Sequence, residues 1–161
     1  MDSTVIKDTA FAFLNDNEQL TAVIATTAPN NTSHAATIYY QIDDAFNFYF
    51  LTATNTEKYT NLLANSAASI VVGFGPSYTT IQGDGTATLI EKASEEENNA
   101  IARLKKRLQD HNNETWPIFQ LDKFDQESIA VFKFTPHSLR LLNLEKNNGL
   151  TVTEEDVQHI I

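Results

Sequence analysis

The chain predicts a mainly β fold with flanking helices, an α+β domain whose strands run antiparallel. Three observations carry this. Strand-like apolar runs, most of them alternating with period two, occupy residues 20–27, 34–42, 46–51, 67–74, 78–90 and 128–142, six runs in all. The early connections between them are only a few residues long, which antiparallel hairpins allow and parallel crossovers do not. Helical periodicity is confined to the N-terminal segment, a short stretch after Thr56 and a longer one from Ser94. No linker, internal repeat or composition shift divides the chain, so residues 1–161 read as a single domain, and 42% hydrophobic content is enough for a core.

Residues 3–16 read as a helix capped by Asp2 or Ser3, with Ile6, Ala10, Phe13 and Leu14 as its buried stripe and Asn15-Asp16-Asn17 as its end. Its expected place is across one end of the strands. Residues 20–27 form the first strand, Pro29-Asn30-Asn31 turns the chain, and residues 34–42 return. Asp43-Asp44 makes the next hairpin. Phe46, Phe48 and Phe50 alternate with Asn47, Tyr49 and Leu51, so this third strand is apolar on both faces and is expected to be buried on both.

Thr52-Ala53-Thr54-Asn55-Thr56 is too rich in hydroxyl and amide groups to continue a core strand, and it suits a helix cap. A helix is expected from about Thr56, with Tyr59, Leu62 and Leu63 on its apolar face and Asn65-Ser66 as its stop. Lys58 then stands in the first turn, the electropositive end of a helix. Two readings fit it. A bound phosphate would compensate, accepting from the helix amides, from the Thr54 and Thr56 hydroxyls and from the ammonium; a solvated lysine paired with a nearby carboxylate is the plainer alternative.

Residues 67–74 are a β-branched core strand, Gly75-Pro76 a turn, and residues 78–90 a long strand interrupted near Gly83-Asp84-Gly85. Ser94 and Glu97 make a capping box for the last helix, whose face carries Glu97, Ile101, Leu104 and Leu108. Arg103, Lys105, Lys106 and Arg107 crowd its final turns, as the helix dipole favours, and are read as a solvated helix end rather than a nucleic-acid patch. Residues 110–114 form a polar loop, and Trp116-Pro117-Ile118-Phe119 brings bulky groups that cover either the strands or a site. Residues 128–142 are the closing strand, bent at Thr135-Pro136, and the acidic tail ends in a turn from Thr153 that packs on the domain or on a partner.

Bulk chemistry narrows the function. A formal net charge of -10 and a pI near 4.7 argue against nucleic acid and anionic membranes as partners. No segment has the composition of a membrane span or signal peptide, which places the chain in the cytoplasm as an expectation, and the sequons at Asn30, Asn31 and Asn113 are read as accidental. There is no cysteine to serve as nucleophile, disulfide or thiolate ligand, and His34, His111, His137 and His159 lack metal-ligand spacing, so no metal is expected. Nucleophile-elbow and phosphate-loop motifs are missing, and the pairs Gly73/Gly75 and Gly83/Gly85 read as a turn and a bulge.

The order from Phe48 to Gly83 (FYFLT, T-x-K, a short helix ending N-S, SIVVGF, and a strand ending I-Q-G) resembles the FMN-binding split-barrel family of pyridoxamine 5′-phosphate oxidase. The matching positions are Phe50 and Thr52, then Thr56 and Lys58, then Asn65, with Ser66 where proline is usual. Upstream, His34-Ala35-Ala36-Thr37-Ile38-Tyr39-Tyr40 is similar to the family's second strand, whose backbone lines the flavin ring. The resemblance spans residues 18–90, and residues 128–142 are similar to the family's final strand.

That resemblance implies a six-stranded antiparallel split β-barrel, a homodimer with FMN at the subunit interface, and oxidoreductase chemistry on a small-molecule substrate. The phosphate would meet Lys58, Thr54 and Thr56; the ring would lie against Ala36, Thr37, Ile38, Tyr39 and Thr52, with His34 and Trp116 as further contacts. No catalytic residue is assigned. The chain departs from the family's pattern where Glu57 replaces an arginine beside the lysine, where Ala35 or His34 replaces an arginine on the second strand, and where Tyr78 or a neighbour replaces a glutamine. Pro136-His137-Ser138-Leu139-Arg140 reverses the biosynthetic oxidase's Arg-x-His element, so the chain is not read as that enzyme. A deazaflavin or haem in the same barrel, or a cofactor-less dimeric binding protein, are the alternatives.

Overall fold

A computed structural model describes residues 2–75, 77–110, 126–144, 153 and 156–161. Helix α1 (Ser3–Asn15) is capped by Asp2, whose carboxylate accepts from the Thr4 amide. Strands β1 (Thr21–Thr27), β2 (Ser33–Ile42) and β3 (Phe48–Ala53) follow, then α2 (Glu57–Ala64), β4 (Ala67–Gly73), β5 (Thr79–Leu89), α3 (Glu95–Asp110), a 3-10 turn at Gln126–Ser128, β6 (Ile129–Asn143) and β7 (Val157–His159). The sheet runs β3-β2-β1-β4-β5-β6-β7, every neighbouring pair is antiparallel, and β3 also pairs with β6. That last pairing closes six strands into a barrel. No helix is long and apolar enough to cross a membrane among the described residues.

The barrel is filled by aromatic rings. Tyr40, Phe48, Phe50, Phe132 and Phe134 are fully buried, with Phe50 stacked on Phe132 at 5.6 Å and Phe48 edge-on to Phe134 at 5.9 Å. Ala10 and Leu14 of α1 join this core and plug one end. The opposite face of β3 is buried too: Tyr49 packs with Ile90, Ala100 and Val131 beneath α3. Both faces of β3 are thus covered, as its continuous apolar run predicts.

The sequence reading needs correction at several elements. Strand β3 begins at Phe48, because Asp43 gathers the Ala45 and Asn47 amides into a loop that leaves Phe46 at a φ of 62°. It also continues through Thr52 and Ala53, which pair with Ala130 and Ile129 of β6, so the hydroxyl-rich stretch does not stop it. On α2, Leu63 is 53% exposed, and Asn61 takes the buried position beside Leu62 by donating to the Thr26 hydroxyl at 3.1 Å. The tail turns at Thr153 as expected, the Asp156 amide donating to the Thr153 carbonyl at 3.1 Å, but it then continues as β7 on β6, and Ile160 enters the core.

Arg107 is the largest surprise. It is not a solvated helix end: its Nη2 donates to the Leu14 and Gln19 carbonyls at 2.7 Å each, and its guanidinium lies 4.9 Å from the centre of the Tyr40 ring. The interruption expected in β5 is real, since the register shifts between Asp84 and Gly85 and sets Gly85 opposite Pro136. A Cβ on Gly85 would collide with the Thr135 carbonyl, so only glycine fits there.

Candidate functional site

The barrel is split beside β2. Strands β2 and β3 pair only through Tyr40–Phe50, Gln41–Tyr49 and Ile42–Phe48. Beyond that point they part. Residues 33–39 of β2 pair with β1 alone, and residues 51–53 of β3 pair with β6 alone, so two strand edges face the split without a strand partner among the described residues. Unpaired backbone groups on such edges need another partner.

Helix α2 starts at this split because the chain leaves β3 through a hydroxyl-built turn. The Thr56 side chain accepts from the Tyr59 amide at 3.4 Å and donates to the Ala53 carbonyl at 2.9 Å, and the Thr52 and Thr56 hydroxyls lie 2.8 Å apart. Of the three predicted threonines, Thr52 and Thr56 therefore build the turn. Thr54 contributes its backbone amide to the Ser128 carbonyl, and its hydroxyl has no partner among the described residues.

Lys58 is half-buried in the first turn of α2, and burial holds its pKa below the ordinary lysine value. It meets no carboxylate among the described residues. The neighbouring Glu57 instead reaches across to β2, where its Oε2 lies 3.1 Å from Nε2 of His34. His34 sits opposite Thr26 in the register, and its Nδ1 is buried without a hydrogen-bond partner. The His34–Glu57 pair thus joins β2 to the first turn of α2, the turn that also carries Lys58 and that follows Thr54 in the chain.

The ring-lining residues divide by the strand's alternation. Ile38 is buried inside the barrel and Ala36 shares its face, whereas Thr37 is exposed on the outside and Tyr39 is half-buried there. Burial raises the Tyr39 phenol above its usual pKa. Trp116 lies outside the described residues. Two cavities, of about 400 and 520 Å³, open elsewhere, both against Gln41 and Arg103 on the α3 side. Sequence reasoning missed the Glu57–His34 pair and the Asn61–Thr26 bond; the only signal was an amide next to Leu62 on a helix too short to have two buried faces.

A family model described as pyridoxamine 5′-phosphate oxidase matches residues 6–143, most of the chain. The chain belongs to that family. Its fold is shared with solved structures of low sequence identity. The general stress protein 26 from Bacillus anthracis str. Sterne is 19% identical with a TM-score of 0.60, the alignment covering 84% of this chain and 92% of that one. A FAD-binding protein from Mesorhizobium loti is 17% identical, with a TM-score of 0.60 and coverage of 84% and 91%. The haem storage protein HutZ from Vibrio cholerae is 17% identical, with a TM-score of 0.64 and coverage of 83% and 91%. Among curated proteins none matches the chain. The family model thus covers residues 6–143, and the solved structures that share its fold carry names that refer to different groups, FAD in one and haem in another.

Proposed function

We propose that this chain is an FMN-binding oxidoreductase that acts on a small-molecule substrate as a homodimer with the cofactor at the subunit interface. The observation that carries the reading is Lys58: a half-buried ammonium, its pKa lowered by burial, with no ion-pair partner among the described residues because the adjacent Glu57 is paired with His34. Such a group is unfavourable alone and favourable against an anion. The Thr54 hydroxyl has no partner among the described residues, and the open edge of β2 offers backbone donors and acceptors. These residues fit a flavin phosphate at one end and a flat polar ring along a strand edge at the other.

Bound flavin supplies reversible hydride and electron transfer. The chain's part is to hold and orient it: Lys58 and Thr54 bind the phosphate, the backbone of residues 36–39 flanks the ring, and Thr52 and Thr56 keep the turn in place. The charge pattern supports the proposed interface. Strands β1, β2 and β4 contain no Asp, Glu, Lys or Arg, and Val23 and Val71, paired in register, are 44% and 40% exposed on their outer face. An uncharged outer face in a chain of net charge -10 is a surface for a second copy.

The HutZ fold favours haem as a second reading. The visible absorption spectrum of the purified protein, taken again after incubation with excess FMN and removal of free ligand, separates the two. Retained flavin bands are expected. A Soret band instead, or no retained chromophore, overturns the FMN reading.

A further inference from the structure

The position of Glu57 is unusual within this site. It is 78% exposed at its side chain and adjoins Lys58 in the chain, yet its carboxylate is drawn over the split to His34 on β2 at 3.1 Å. Lys58 is left half-buried without an ion-pair partner among the described residues. His34 in turn spends its Nε2 on Glu57 while its Nδ1 stays buried and unpartnered. The pair therefore ties the start of α2 to the open half of β2, with the carboxylate turned toward His34 and away from the residue that follows it in the chain, Lys58.

We propose that Glu57 is the residue that sets this site's selectivity between phosphorylated and unphosphorylated flavin. This rests on the phosphate reading of Lys58. While Glu57 holds the imidazole, His34 cannot turn to a phosphate, and the carboxylate repels a dianion bound at the neighbouring lysine. Displacing Glu57 frees His34 to close on the phosphate from the β2 side while Lys58 holds it from α2. A flavin without phosphate gains nothing from that exchange. Glu57 thus lowers affinity for FMN specifically and leaves the ring's contacts untouched.

The test is the dissociation constant of FMN and of riboflavin for the full chain, for Glu57→Gln and for the double variant Glu57→Gln with His34→Ala. Glu57 is exposed, so the glutamine variant keeps the fold, and its thermal midpoint checks this. Expected is a gain for FMN of about tenfold in Glu57→Gln, the size of one partly exposed charge–charge interaction, with riboflavin changing by less than about twofold and the FMN gain reduced in the double variant. Equal changes for both flavins, or an unchanged FMN affinity, overturn the role of Glu57 while leaving FMN binding intact. Binding of neither flavin to any of the three proteins overturns the cofactor reading, and this inference with it.

Discussion

At the scale of single residues, Lys58 links stability to the proposed phosphate site. Burial places its native pKa below the unfolded value near 10.5, so between those two values the unfolded chain holds more protons than the folded one. Stability from this group therefore rises with pH through the window below 10.5, and at neutral pH the charged amine is a net cost. Lys58→Met removes that cost and keeps the aliphatic stem. Expected is a thermal midpoint of the free protein raised by about 1–2 °C, together with loss of the extra stabilisation that FMN gives over riboflavin. A thermal melt of each protein with and without each flavin reads both effects, and a midpoint that falls in the variant contradicts the cost assigned to the ammonium. Lys58 was legible in the sequence because a lysine in a first helical turn breaks a local rule. The Glu57–His34 contact was not, because it joins residues 23 positions apart through a register that only the folded sheet sets.

At the scale of elements, periodicity recovered every strand of the barrel and all three helices, and failed where a polar side chain outweighed local preference. Thr52 continues β3 because β6 supplies its ladder partner in Ala130, which no window of local sequence contains. Leu63 turns outward because the Asn61–Thr26 bond sets the helix's roll against β1. Arg107 is the clearest case. Its basic neighbours at a helix end predict solvation, yet the guanidinium's fixed fork of donors suits two carbonyls left at the end of α1 and before β1, and its face suits Tyr40. It fastens α3 to the α1 plug. Arg107→Met is expected to lower stability by about 2 kcal/mol, the loss of charged hydrogen bonds to carbonyls. Arg107→Lys should recover less than half, since an ammonium cannot span both acceptors and stack as well. Urea unfolding measures both, and full rescue by lysine would mean that charge alone, not the fork, holds the plug.

At the scale of the whole molecule, the same strands that fill the barrel present an outer surface that water alone does not explain. Along β1, β2 and β4 the inward positions are Ile24, Ile38, Ile70 and Val72, and the outward ones are small or β-branched and uncharged: Val23, Ala25, Ala35, Thr37, Ser69 and Val71. The inward half follows from period-two alternation, whereas the outward half reads in sequence only as a weaker alternation without charge. Thr37 and Tyr39 stand on this outer face next to the open edge of β2, so the proposed flavin site and the proposed interface adjoin. Val23→Glu with Val71→Glu places two carboxylates per chain at the centre of that face, opposite their symmetry mates, at little cost to the barrel because neither side chain enters its core. Light scattering behind a sizing column is expected to show a dimer for the native chain and a monomer for the double variant, and FMN retention should fall with the dimer. A variant that is monomeric yet holds FMN as tightly as the native chain would place the whole site within one subunit, and a variant that stays dimeric would move the interface to another face.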